Sequence, residues 1–344
     1  MSAVGRGSPP MKTPFTAAAP LRPRLPRLDA KLLPLAVTIA LFLAMFGYGS
    51  VAYTGFFSAQ VLLNLLIDNA FLLIVAVGMS FVILSGGIDL SVGSVIALTT
   101  MVSAALVEHR QWSPWATMPL VLGIGTAFGA LQGWLIQRFR LQPFIVTLAG
   151  MFLARGLCYL ISIDSIHIAD ETYSAISQWR LPLGEEASIS AGALIALALL
   201  AVALYVAHAT SFGRAVYAIG GHEASALLMG LPVARTTVLV YTLSGFCSAL
   251  AGVVFTFYML SGYGLHAVGL ELDAIAAVVI GGTLLSGGVG YLAGTLFGVL
   301  ILGTIQTLIS FDGTLSSWWT RIAIGALLLV FCVLQRLFEA KGRR

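Results

Sequence analysis

The side chains that could do chemistry are few, and most lie inside apolar stretches where water is scarce. Asp68 falls in such a stretch with Asn64 and Asn69, and positions 64 and 68 share one helical face. Arg155 lies in another, so Asp68 and Arg155 are candidates for a buried ion pair; the alternative for Asp68 is hydration near an interface. Asp89 and Ser91 follow a Gly-Gly pair, where they either cap the helix that starts there or face a polar path. Tyr241, Ser244 and Ser248 stack at helical spacing, so their hydroxyls meet a solute or bond their own helix backbone. This is chemistry of hydrogen bonding rather than of bond breaking. The sequence has no Gly-x-x-x-x-Gly-Lys-Ser/Thr phosphate loop, Gly-x-Ser-x-Gly elbow or His-Glu-x-x-His pair. Its five histidines fall at segment edges or in loops, and Cys158, Cys247 and Cys332 have no metal-ligand spacing.

The elements that must position these groups follow from composition. Of 344 residues, 59% are hydrophobic and 9% charged, against about a quarter charged in soluble domains. So few charges cannot cover a water-facing surface, so most of the surface faces lipid. A spanning helix needs roughly 20 apolar residues. Ten segments fit: 33–53, 64–84, 91–107, 118–136, 144–163, 190–209, 235–258, 272–286, 291–310 and 318–336. The expected fold class is an all-α polytopic membrane protein with about ten transmembrane helices. The net charge of +4 is topological and does not indicate nucleic-acid binding: 14 of the 18 Lys and Arg fall on one side of these segments. Arg138, Arg140, Arg214 and Arg235 are among them, whereas the other side holds Arg110, Arg180 and Arg321. Both termini are therefore expected in the cytoplasm.

The resulting organisation is a disordered basic, Pro-rich tail at 1–31, a transmembrane domain over 32–338 and a short cytoplasmic tail at 339–344. The first apolar run starts too late for a cleaved signal peptide and reads as a signal anchor, with translation starting at Met1 or Met11. The loop 164–189 carries Tyr173, Trp179 and several carboxylates; it is either a docking surface or a solvated connector.

Glycine carries the most information about the interior. The 37 glycines cluster at Ser85–Gly93 and Ile280–Gly290. Aligned from Gly86 and Gly281, both patches read Gly-Gly-x-x-Leu-Ser-x-Gly, which is either a possible internal repeat or an accident of frequent residue types. Each patch breaks a helix. Unwound backbone at membrane depth must be buried in protein or line a wet cavity. A second feature is the segment 211–233, expected on the cytoplasmic face. There Gly220 and Gly221 precede a run of helix formers from His222 to Met229, which Gly230 and Pro232 stop. A two-turn helix is marginal alone, so it packs on its own bundle or seats in a groove of another protein.

Three segments resemble the permease subunits of bacterial monosaccharide ABC importers of the ribose, xylose and arabinose type. They are Ile83-Leu-Ser-Gly-Gly-Ile-Asp-Leu-Ser-Val-Gly-Ser94, Tyr217-Ala-Ile-Gly-Gly-His-Glu-Ala224 and Glu271-Leu-Asp-Ala-Ile-Ala-Ala-Val-Val-Ile-Gly-Gly-Thr283. Phe311–Gly325 looks most like the galactofuranose-importer branch, whose two permeases form a heterodimer. The resemblance implies a second permease subunit, an ABC ATPase that carries ATP-Mg, and a periplasmic sugar-binding protein. It implies a chain in the bacterial inner membrane that binds no cofactor and catalyses no reaction. Gly221, His222, Glu223, Ala224 and Gly230 are similar to the importer loop that couples to the ATPase, with Ser225 in place of a second Ala and Gly230 one residue late. The tentative substrate pathway comprises Asn64, Asp68, Asn69, Asp89, Ser91, Arg155, Tyr241, Ser244 and Thr283. The alternative function is a stand-alone carrier or facilitator for a neutral solute, and the scarcity of mid-membrane ionisable groups weighs against its ion-driven form.

Overall fold

The structure, a computed structural model, describes residues 33–184, 187–314, 316 and 318–342. The tail at 1–31, Met11 included, and the Glu185-Glu186 pair lie outside the described residues. In chain order the helices are α1 (Leu33–Ala52), α2 (Ala59–Asp68), α3 (Ala70–Leu84), α4 (Val92–Ala104), α5 (Pro114–Phe139), α6 (Pro143–Ile161), α7 (Glu171–Gln178) and α8 (Ala191–Ala209). They continue as α9 (Ser211–Gly221), α10 (Glu223–Leu228), α11 (Val233–Met259), α12 (Leu270–Ile280), α13 (Leu292–Asp312) and α14 (Trp318–Gly342). A π-helical turn, Ala105–His109, extends α4. Two small antiparallel pairings, β1 (Ile166–His167) with β4 (Ser261–Gly262) and β2 (Arg180–Pro182) with β3 (Ser188–Ser190), lie in the connections. The all-helical membrane class is as expected, and the described part of the loop at 164–189 carries α7 (Glu171–Gln178) and the short strands β1, β2 and β3.

Eight helices among the described residues are long and apolar enough to cross a membrane, and α2 with α3 make a ninth bent by 59°. The expected segment 64–84 is therefore two helices, parted at Asn69. The larger difference is at 272–286. Its helix, α12, stops at Ile280 after 11 residues, roughly 16 Å of rise, about half of a hydrocarbon core. Gly282, at φ +94°, turns the chain out of the helix. Hydropathy alone does not register this stop, because the residues after it are still apolar or small.

α11 runs through the centre and packs along α3, α4 and α5, while α12 packs on α13. In α11, 67% of the span is buried by protein, against 6% in α14 and 17% in α1, so the last two are peripheral. The α5–α11 contact is made by small residues. Gly125, Gly129 and Gly133 form a four-residue-spaced stripe along α11, the first two against Gly245 and the third against Val238, and a methyl on Gly129 would meet Tyr241 O and sit 2.9 Å from Gly245 Cα. Such stripes let backbones approach in lipid, where apolar side chains gain nothing by leaving the solvent. Trp115 and Trp318, exposed at the starts of α5 and α14, suit the interfacial belt where amphipathic rings sit. Gly129→Ala is expected to cost about 1–3 kcal/mol by overpacking, read as a lower unfolding temperature in detergent. Gly123→Ala, whose methyl meets nothing within 4 Å, is expected to leave that temperature unchanged.

Candidate functional site

The polar interior is organised by the break between α3 and α4. Ser85 N–H donates to Phe81 O (3.0 Å) and Gly87 N–H to Val82 O (2.9 Å), with Gly86 at φ +85°, so a left-handed glycine satisfies the last carbonyls of α3. The chain then places Asp89, 1% exposed, in the interior. Its Oδ1 accepts from Ser91 N (2.9 Å) and Ser91 Oγ (2.7 Å), and its Oδ2 accepts from Ser244 Oγ on α11 (2.7 Å). Ser91 precedes α4 without a side-chain cap bond. Asp89 thus does not cap α4 by bonding its first-turn amides; it ties the loop to α11. Gln132 of α5 joins them, its carboxamide 3.2 Å from Ser91 Oγ. The contact is from Ser91 Oγ to Gln132 Oε1, so the Ser91 hydroxyl is shared between Asp89 and this amide oxygen.

The second break repeats the first, displaced by one residue from the alignment read in the sequence. Thr283 N–H donates to Val278 O (3.2 Å), as Gly87 does to Val82. Ser85, Gly86 and Gly87 therefore match Gly281, Gly282 and Thr283, and the two Leu-Ser pairs do not correspond. The loop before α13 is also longer, with Leu284 N–H bonded to Val289 O (2.9 Å). The two loops meet, because Gly288 N–H donates to Leu84 O (2.9 Å).

Beside them is a cavity of about 810 Å³, lined by Ser85, Gly86 and Gly87, by Gln137 and Thr237, and by His222 and Glu223. Tyr241 also lines it, although only 1% of its surface is exposed. Its hydroxyl packs over Gly87, where a Cβ would collide with it, and has no hydrogen-bond partner among the described residues. A buried hydroxyl without a partner is costly, so this one is available to whatever occupies the cavity.

The other expected pathway residues are dispersed. Asn64 and Asp68 are exposed on α2, with Gln60 Nε2 donating to Asn64 Oδ1 (2.7 Å) and Tyr258 OH to Asp68 Oδ1 (3.4 Å). Asn69 is buried at the bend and bonds Leu65 O (2.9 Å). Thr283 is buried against Gly290. The expected Asp68–Arg155 pair is absent: Arg155 Nη1 donates instead to Gly264 O (2.7 Å) and His266 O (2.8 Å). The reason is the path of the chain between α11 and α12, which folds back along α4 so that Gly262 touches the backbone at Thr100. That path also brings the Glu271 carboxylate against Gly93 in the first turn of α4. Asp273 is paired instead with Arg321 at 3.5 Å. Sequence reasoning missed Gln132, Glu271 and the α5 stripe; four-residue glycine spacing was the available signal for the last.

The segment after α8 holds the expected short helix, α10, and a further helix before it, with Gly220 and Gly221 in the last turn of α9. His222 then caps α10, its Nδ1 accepting from Ser225 N (3.1 Å), and Gly230 ends the segment at φ +77°. Only Ala226 of α10 is buried, while Leu227, Leu228 and Met229 are 64%, 89% and 69% exposed.

A bundle of spanning helices with two broken elements, a polar cavity reaching its interior and a short apolar helix projecting from one end defines a membrane permease. The family described as branched-chain amino acid transport system / permease component matches residues 61–332, and the chain belongs to that family. An inner membrane ABC transporter permease protein of Escherichia coli K12, YjfF, is 54% identical over 306 residues, covering 88% of this chain and 92% of that protein. The fructose import permease protein FruG of Bifidobacterium longum is 40% identical, covering 92% and 94%. The ribose import permease protein RbsC of Haemophilus influenzae is 39% identical, covering 80% and 84%. No solved structure matches. The chain is thus a multi-pass, non-catalytic permease subunit of an ABC transporter, in a system whose ATPase is a separate subunit.

Asp89→Ala removes the acceptor of three buried hydrogen bonds and is expected to destabilise by about 2 kcal/mol or more. Asp68→Asn, at an exposed site, should stay within about 0.5 kcal/mol. Unfolding of the two variants in detergent compares them directly.

Proposed function

We propose that the chain supplies half of the translocation path of an ATP-driven monosaccharide importer, paired with a second, different permease, and that its sugar is galactofuranose. The observation that carries this reading is the cavity running from His222 and Glu223, beside α10, to the unpartnered hydroxyl of Tyr241 beneath the first broken helix. Its volume falls in the range of small-ligand sites. Its buried end offers a neutral hydroxyl and glycine backbone, which suit a sugar's hydrogen bonds and supply no counter-charge.

With the basic residues cytoplasmic, the cavity opens inward, and both termini, α9 and α10 lie on the cytoplasmic side of the inner membrane. The tail at 1–31 and the last residues are cytoplasmic extensions of the transmembrane domain. The loaded binding protein docks on the opposite face, at the loop over 164–189. The exposed Leu227, Leu228 and Met229 seat in a groove of the ATPase, with Gly221, His222, Glu223, Ala224 and Gly230 shaping that contact. ATP-Mg binds the ATPase, and this chain holds no cofactor. The named substrates of the relatives support a monosaccharide, and the resemblance at Phe311–Gly325 supports galactofuranose among them.

Uptake by proteoliposomes containing both permeases, the ATPase and the binding protein is the test, with galactofuranose set against ribose, xylose and arabinose. ATP-dependent accumulation of galactofuranose is expected; uptake by this chain alone, indifferent to ATP, would make it a facilitator. Replacing Leu227, Leu228 and Met229 together by Ser is expected to lower uptake by roughly tenfold or more, since buried anchors carry most of an interface's energy. A pull-down of the ATPase should weaken in parallel, while insertion of the permease is unchanged.

A further inference from the structure

Near its end, at Gly220, α9 is set between the two broken-helix loops so closely that no side chain fits. A methyl on Gly220 would collide with Leu84 O at the end of α3 and lie 2.5 Å from Gly288 N. One on Gly288 would lie 2.5 Å from Gly221 Cα, and one on Gly287 would lie 2.8 Å from Gly86 N and 3.2 Å from Gly220 Cα. Three glycine pairs, 86–87, 220–221 and 287–288, thus bring three backbones into contact at one point. Each of the other two segments is also tied to α9 or to its neighbour by a bond. Gly288 N–H donates to Leu84 O (2.9 Å), and Tyr217 OH of α9 donates to Gly290 O (3.0 Å). Phe212, in the first turn of α9, packs on Phe81 of α3 with ring centroids 5.9 Å apart.

On its other side α9 is joined to α10 by His222 alone, and His222 is itself held as the α10 cap. A displacement of α10 therefore has no slack linker to absorb it. Backbone contacts without side chains are also stiff: close-packed atoms transmit strain rather than relax it, and no rotamer change can relieve a glycine contact. Unwound segments, by contrast, are where a membrane helix can change direction.

We propose that Gly220 and Gly221 are the positioning residues of transport, carrying the movement of α10 as one body to both broken helices, at 85–91 and 281–291. The inference rests on the importer reading and adds to it the route by which ATP-driven motion reaches the pathway. Loop 281–291 moves with α9, and the walls formed by α5 and α6 do not, so the cavity changes shape at its Ser85–Gly87 side.

The test uses the assembled complex in proteoliposomes and reads sugar imported per ATP hydrolysed, a ratio that a merely structural role would not move. Gly220→Ala is expected to lower this ratio by roughly two- to thirty-fold, the range of coupling changes along transmitting contacts, with ATP hydrolysis retained. Gly123→Ala on α5, whose methyl meets nothing within 4 Å, is expected to keep it. An unchanged ratio in folded Gly220→Ala overturns the proposal. Where that variant does not assemble, a crosslink decides. A short bifunctional thiol reagent joining cysteines placed at Gly221 and Val289 should leave import intact, because the two positions move together. A second crosslink, between cysteines at Ala224 and Gln137 across the cavity mouth, should stop it. Import lost on the first crosslink overturns the one-body link. The unsubstituted complex, run in parallel, separates the readings: absence of ATP-dependent import there counts against the importer function itself.

Discussion

Backbone amides and carbonyls cannot be left open to lipid, and the two helix breaks are the places where this chain risks doing so. The arrangement around them answers that constraint. At the first break a left-handed Gly86 returns Gly87 N–H to Val82 O, and Asp89 accepts the Ser91 amide. At the second, Gly282 does the same for Thr283, and the longer loop bonds across itself from Leu284 to Val289. Gly288 N–H finds its acceptor on the other loop, at Leu84. Each loop therefore helps to satisfy or shield the other, and both lean on α9.

Small residues make that enclosure possible. α5 meets α11 through Gly125, Gly129 and Gly245, and α12 meets α13 so closely that a methyl on Gly298 would collide with Ala277 O. Helices in lipid associate through packing and hydrogen bonds rather than through the hydrophobic effect, so the central elements are held by close approach. The peripheral ones, α1 and α14, carry bulky apolar side chains outward, with Leu43 and Leu329 more than half exposed. Stability and lipid contact are thus divided between different helices.

Much of this was legible in the sequence, because the bilayer imposes length and composition on each helix. Among the described residues, nine of the ten apolar runs are helices long and apolar enough to span, counting the bent α2–α3 pair as one, and the Gly-Gly patches marked both breaks. What stayed hidden depended on geometry that hydropathy does not encode. Asn69 bends one run into α2 and α3, and Gly282 ends α12 halfway; the flanking residues remain apolar in both cases. The glycine echo was real in kind but displaced by one position, because the left-handed residue, not the Gly-Gly pair, is what repeats. The Asp68–Arg155 pair failed for a longer-range reason. A ten-residue loop folds back along α4 and offers Arg155 the carbonyls of Gly264 and His266, which no local pattern around either charge could announce.

The start of α4 has a bearing on which solutes the path admits. A helix N-terminus carries unsatisfied amides and a partial positive charge, and in broken membrane helices such ends point at anionic groups of a substrate. Here the protein's own carboxylates stand at that end. Asp89 binds the amide of Ser91, and the Glu271 carboxylate presses against Gly93. Two carboxyl groups so placed occupy the helix end that would otherwise favour a carboxylate on the solute. The family's description names branched-chain amino acids, whose recognition calls for a partner to that carboxylate. In this chain the charged groups that line the cavity, Arg140 and Glu223, are on its exposed side, and the polarity at its buried end is neutral: the Tyr241 hydroxyl and glycine backbone. That division, charge answered internally and hydroxyls left for the path, argues for an uncharged, hydroxyl-rich solute on the same physical grounds that place the carboxylates at the helix end.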